Sequence, residues 1–226
     1  MTKPLQWSYS VLSAYETCPH RYYVTKVAKT VTEPMTEAMS RGNKVHKALE
    51  LRLTQATPLP GDMRQWEPLA QTVVDRAKGG VLEAEQKMAL TIDYRPTTFF
   101  AKDVWVRGIT DFTVTKGAKA FIGDWKTGKP TPESAQLRLT AAMTMCAKPW
   151  VQTVINSFVW LKDGTLTTER FTREDLPGIW QDFAPRVRRL EISMEENRWP
   201  KKPSGLCGSW CPVHSCEHNG KYRGAA

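Results

Sequence analysis

Apolar side chains in residues 37–54, EAMSRGNKVHKALELRLT, recur at helical spacing: Val45, Leu49 and Leu53 fall on one face, which predicts an amphipathic helix. Ahead of it, residues 8–28, SYSVLSAYETCPHRYYVTKVA, read as a helix running into an aromatic stretch, with Ser10 as its cap and Pro19 ending or bending it. PLPGD at 58–62 reads as a loop, and a further helix is predicted over about 66–78. Residues 81–93, with Glu85 inside, read as a strand. VWVRGITDFTVT at 104–115 is rich in β-branched and aromatic residues, KGAK at 116–119 makes a turn, and AFIGDWKTG at 120–128 is a second strand, so the three form an antiparallel hairpin. Pro130 and Pro132 lead into a helix from Glu133 to Cys146. WVQTVINSFVWL at 150–161 and TLTTERF at 165–171 read as another hairpin, turning at Asp163-Gly164, and a helix over 174–196 precedes a cysteine-rich tail. Strands in the middle of the chain, flanked by helices, define an α/β fold with a mixed central sheet. With 226 residues, no internal repeat and no long low-complexity linker, residues 1–226 read as a single domain.

Composition narrows the setting. Hydrophobic residues make up 41% and charged residues 24%, as in folded water-soluble proteins. The opening MTKPLQWSYS lacks the apolar core of a secretion signal. No stretch approaches the ~18 apolar residues of a membrane span, so no membrane partner is expected, and the expected location is the cytoplasm of its own or a host cell. Thirty-two basic against 23 acidic side chains give a formal charge of +9, a balance that favours a polyanionic partner. The basic clusters at 186–189 and 201–202 read equally as solvated faces or as phosphate contacts.

Candidate chemistry sits on the first hairpin. Asp124 and Lys126 are two residues apart on one strand and share a face. Asp111 lies on the neighbouring strand, so the hairpin can bring two carboxylates and an ammonium into one pocket. Carboxylate oxygens hold hard divalent cations. Such a cation polarises a phosphate and lowers the pKa of a bound water, while a lysine can offset developing charge. An Asp-X-Lys tripeptide is common and usually faces solvent. Here Phe121-Ile122-Gly123 and Trp125 make the strand read as buried, where such charges need pairing or a metal.

The order GITD at 108–111, IGDWKTGK at 122–129 and QLRLTAAM at 136–143 closely resembles the PD-(D/E)XK nuclease superfamily. More narrowly it resembles the RecB-like exonuclease branch, which includes AddB-type, CRISPR-adaptation and phage recombination exonucleases. SYSVLSAYETCPHRYY resembles that branch's opening helix, and RGNKVHKALE at 41–50 its Gly-X-X-X-His helix. The resemblance implies a restriction-endonuclease-like core and a magnesium- or manganese-dependent nuclease acting on DNA. It implies that Asp111, Asp124, the backbone carbonyl of Trp125 and His46 ligate the metal, that Lys126 positions the attacking water, and that Gln136 orients Lys126 or the DNA backbone. Thr140 stands where the family usually has a tyrosine, and Glu85 where the branch often has a strand glutamate.

Five cysteines remain. Without a secretion signal disulfides are not expected, and Cys207, Cys211 and Cys216, within ten residues of one another, read as a metal site. The resemblance adds Cys18 and implies a 4Fe–4S cluster on these four thiols, joining the N- and C-terminal segments. The spacing of the last three departs from the branch's commonest pattern, and zinc is the alternative, with His214 or His218 able to replace a thiol; a third reading has the cysteines buried and free of metal. Cys146, among Ala141, Ala142, Met143 and Met145, reads as a core thiol. The expected function is a DNA exonuclease in recombination, repair or phage DNA processing, with a helicase or a single-strand annealing protein as a candidate partner. A structure-specific or single-strand endonuclease is the alternative with the same chemistry. A non-catalytic nucleic-acid binding module is the alternative of another class.

Overall fold

The computed structural model describes residues 5–131 and 135–223. In chain order it contains α1 (Tyr9–Thr17), α2 (Pro19–Tyr22), α3 (Glu37–Gln55), α4 (Glu67–Ala77), β1 (Val81–Leu90), β2 (Pro96–Thr97), β3 (Val106–Lys116), β4 (Lys119–Lys126), α5 (Ala135–Ala147), β5 (Thr153–Trp160), β6 (Thr165–Thr172), α6 (Leu176–Glu195) and α7 (Leu206–Ser209). The chain divides into two compact units: residues 1–6 with 37–182, and residues 7–36 with 183–226.

The first unit is built on a six-stranded mixed sheet in the order β2-β1-β3-β4-β5-β6. Every neighbouring pair is antiparallel except β4 and β5. A parallel pair needs a crossover, and α5 lies in it. The predicted start of α5 at Glu133 lies outside the described residues. Asn156 on β5 ties the helix down, its amide donating to the Leu137 carbonyl at 2.8 Å and to the Thr140 hydroxyl at 2.7 Å. Thr140 therefore serves as a buried anchor between helix and sheet.

On the other face, Val45 and Leu49 of α3 pack with Met63, Trp66, Phe112 and Trp125 in an apolar core. The Trp66 indole donates to the Leu161 carbonyl at 2.8 Å. Gly123 is fixed by this packing. It is paired with Phe112 across β3 and β4, and a Cβ on it would meet the Phe112 ring at 1.9 Å.

Several boundaries shift for local reasons. The strand expected over 81–93 ends at Leu90, because residues 91–95 close a turn: Thr91 N–H donates to the Arg95 carbonyl at 2.9 Å, and Tyr94 adopts φ 59°. The loop expected through 62 gives way at Gly61 to a 3-10 turn, Gly61–Trp66, that leads into α4.

In the second unit, Ser8 rather than the expected Ser10 caps α1, its hydroxyl accepting from Val11 N–H at 3.3 Å. Pro19 does break the helix: Cys18 ends α1 and caps α2, whose first residue is Pro19, where a missing N–H costs nothing. The Tyr15 hydroxyl donates to the Arg189 carbonyl at 3.0 Å, and Arg186 holds Glu16 through two bonds at 2.7 and 2.6 Å. Trp199 stacks on Tyr23 at 5.2 Å and sits 6.0 Å from Tyr22, which is where the aromatic stretch after α1 is used.

Candidate active site

The site forms where regular strand alternation fails. Along β1 and β3 the partners run from Val81 with Thr115 to Ala84 with Phe112, and resume at Gln86 with Thr110. Glu85 and Asp111 occupy the missing rung. Glu85 has φ 49°, inside a strand where other residues are extended. On β3, Asp111 reaches His46 of α3 while the next residue, Phe112, packs in the α3-side core. Two successive side chains thus point to one face, which a regular strand forbids. This break in alternation, with the register unchanged on either side, turns both carboxylates toward α3.

There, ligand atoms of His46, Glu85 and Asp111 all lie within 4.8 Å of one another. His46 Nδ1 is 3.1 Å from Asp111 Oδ1, and Asp111 Oδ2 accepts the Trp125 backbone N–H at 2.6 Å. The hydrogen bond between His46 and Asp111, with the neighbouring carboxylates, raises the His46 imidazole above its usual pKa, against its burial. Glu85 is also raised, by burial and then by Asp111. These groups line an open cleft of roughly 700 Å³, with Gly42, Lys47, Glu50, Ile109 and Thr127 on its walls.

A second trio stands beside the first. Asp124 Oδ1 accepts from the Gln136 amide at 2.7 Å, and Lys126 Nζ donates to Gln136 Oε1 at 3.1 Å. The amide orientation is fixed by chemistry, since an ammonium can only donate. Asp124 Oδ2 is 2.6 Å from the Lys126 ammonium, yet it is buried and makes no well-directed hydrogen bond. Burial, then the nearby Asp111, pushes the Asp124 carboxyl up, and Lys126 opposes the shift. The Lys126 ammonium also lies 4.7 Å from the Phe158 ring centre.

Of the residues predicted from sequence, the structure therefore joins His46 to Asp111 and Asp124 to Lys126 and Gln136. Glu85 is the addition to the ligand group. Trp125 reaches the site through its backbone, while its indole packs against Phe112 at 4.8 Å. The donor set of carboxylate oxygens with one imidazole suits a magnesium- or manganese-type cation, and the poorly satisfied Asp124 Oδ2 is an acceptor with capacity for one.

In the second unit, Cys18, Cys207, Cys211 and Cys216 line one pocket, together with His218 and Lys201 but without His214. Arg21 N–H points at Cys18 Sγ and Ser204 N–H at Cys207 Sγ, each at 3.5 Å. Cys146 lies elsewhere, beside Trp180 and Arg173, with its thiol pushed up by burial.

The sequence model of the PD-(D/E)XK nuclease superfamily matches residues 6–216. The chain belongs to that superfamily, and with it to the metal-dependent nucleases. Among solved structures it is similar to a "putative exonuclease" from Eubacterium rectale, with 11% identity over 97% of this chain and 88% of that one and a TM-score of 0.57, a likeness of fold. The structure of SSO0001 aligns at 9% identity over 83% of this chain and 78% of that one, with a TM-score of 0.42. No curated protein matches the sequence.

Glu85 offers a test of the strained rung. A non-glycine residue at positive φ costs ~1 kcal/mol or more. Glu85→Gly should therefore raise the melting temperature of the metal-free protein by about 2–4 °C, while weakening the stabilisation that manganese confers. Unchanged manganese stabilisation would remove Glu85 from the ligand group.

Proposed function

We propose that the protein is a magnesium- or manganese-dependent DNA exonuclease of the RecB-like branch, working in recombination, repair or phage DNA processing in the cytoplasm of a bacterial cell or a phage host. One observation carries the chemistry: two carboxylate-bearing trios, His46–Glu85–Asp111 and Asp124–Lys126–Gln136, adjoin at the Asp111–Trp125 contact on one sheet. The name of the Eubacterium rectale protein supports an exonuclease mode. The whole of 1–226 acts as one nuclease domain in this reading, consistent with a family match that runs through both units. No helix among the described residues is long and apolar enough to cross a membrane.

The roles follow from position. His46, Asp111, Asp124 and the Trp125 carbonyl hold the cation in this reading, with Glu85 beside them. Bound there, the cation supplies a polarised phosphate and a water of lowered pKa. Gln136 holds the Lys126 ammonium against Asp124, so the amine is aimed before substrate arrives. From there Lys126 can orient the attacking water and offset charge on the phosphate.

The four-cysteine pocket is assigned to a structural 4Fe–4S cluster. Backbone N–H groups aimed at two sulfurs and Lys201 beside them suit thiolates. The cluster would tie the first helix to the tail. A helicase or a single-strand annealing protein remains the proposed partner type.

The test is a magnesium time course on linear, nicked and closed-circular DNA, with the label at either end. An exonuclease degrades linear DNA progressively and spares closed circles. Cleavage of closed circles would select the endonuclease reading. No cleavage of any form, with DNA binding intact, would select the binding-module reading. Chelation should stop activity, and magnesium or manganese should restore it. Because the cation competes with protons for its ligands, its stabilisation of the fold should grow as pH rises.

A further inference from the structure

The sheet face that carries the carboxylates continues past them. Lys87 lies two residues beyond Glu85, Ile109 two residues before Asp111, and the two are partners in the β1–β3 ladder. Two strand residues span about 7 Å, so this rung is one short step from the ligand group. Ile109 already lines the cleft. Over this part of the sheet stand Phe99 and Phe100, edge to face at 5.1 Å. The Lys87 ammonium is 5.8 Å from the Phe99 ring centre and 5.9 Å from that of Phe100. The Arg107 guanidinium is 5.7 Å from the Phe99 ring centre, and it donates to Gln6 Oε1 at 3.2 Å, which fixes it in place.

This arrangement serves the core poorly. Phe100 is 80% exposed and Ile109 40%, although both are large apolar side chains. An exposed aromatic ring with one cation beside it and a second on its neighbouring ring combines a stacking surface with partners for phosphate, the pairing that single-strand binding proteins use. A base inside a duplex has both faces covered by its neighbours. An exposed ring can therefore take only an unpaired or terminal base.

We infer that Phe100, with Lys87 beside it and Arg107 against the neighbouring Phe99, is a stacking subsite for an unpaired base of the strand whose phosphate lies in the carboxylate cleft, so that the favoured substrate is single-stranded at that point. The cations take the adjoining phosphates. The assignment deepens the nuclease reading and rests on it for which strand is held, but the stacking itself needs no cleavage.

The two are separable by experiment. Full-length protein without divalent metal is titrated with short single-stranded oligodeoxynucleotides carrying 2-aminopurine at successive positions, and with a blunt duplex. The wild type should change the fluorescence at one position. Phe100→Ala should abolish that change and weaken single-strand binding about tenfold, with a smaller effect on the duplex, and Phe100→Trp should retain it. Lys87→Ala and Arg107→Ala should each reduce the salt dependence of binding by about one phosphate contact. Equal single-strand binding and equal fluorescence for wild type and Phe100→Ala would overturn the subsite, and would be the result if the patch docks a protein instead. An equal loss on the duplex would overturn it too. Failure of the nuclease reading shows differently: the stacking signal is present, yet added magnesium leaves the oligonucleotide intact.

Discussion

Asp124→Asn should lower DNA cleavage in magnesium by at least about a thousandfold, with the fold retained. Asparagine keeps the size of the side chain and an oxygen for the Gln136 amide, but brings no charge for a cation or for Lys126. Asp111→Asn should behave alike, since its amide oxygen can still accept the Trp125 N–H that Asp111 Oδ2 accepts at 2.6 Å. Lys126→Met should lose a comparable factor while leaving cation binding in place. The measurements are single-turnover cleavage of linear DNA, circular dichroism for the fold and salt-dependent DNA affinity. Either aspartate variant cutting at the wild-type rate would sink the assigned centre.

The second large effect is expected in the cysteine pocket. Protein purified without oxygen should be brown and hold iron and acid-labile sulfide in equal amounts. Serine in place of Cys18, Cys207, Cys211 or Cys216 should remove the colour and lower the melting temperature by about 10 °C, because ligand binding and folding of that unit are coupled. Cys146→Ser should change neither, since Cys146 stands apart beside Trp180. Stoichiometric zinc without sulfide would replace the cluster with a zinc site. Absence of both metals from anaerobic protein would leave four reduced thiols with no metal to hold.

Sequence periodicity located what depends on local pattern. The α3 face of Val45, Leu49 and Leu53, the β3–β4 hairpin and the shared face of Asp124 and Lys126 all follow from side-chain period and turn chemistry. What escaped it depends on tertiary context. Ser8 and Ser10 are equally good caps by type, and only the entry of the chain into α1 decides for Ser8. Glu85 was visible as a carboxylate in a strand, but its direction rests on a backbone angle that no two-residue period encodes. The pairing of Asp124 with Gln136 links β4 to α5, and no spacing rule specifies it. The exposed Phe100 belongs to an adjacent aromatic pair, Phe99-Phe100, outside any regular element, and carries no periodic signal of its own.

The unpaired rung at Glu85 and Asp111 divides one sheet face into two territories. On one side of it, Leu82, Ala84, Phe112 and Val114 meet the apolar core beneath α3 and α4. On the other, Lys87 and Ile109 meet solvent. The acidic groups stand on the shoreline between them. Their backbones are clamped by close packing from the dry side, while their carboxylates open to the wet side. Stiffness and access ordinarily compete for the same residue, and here they are drawn from opposite directions along the same strands.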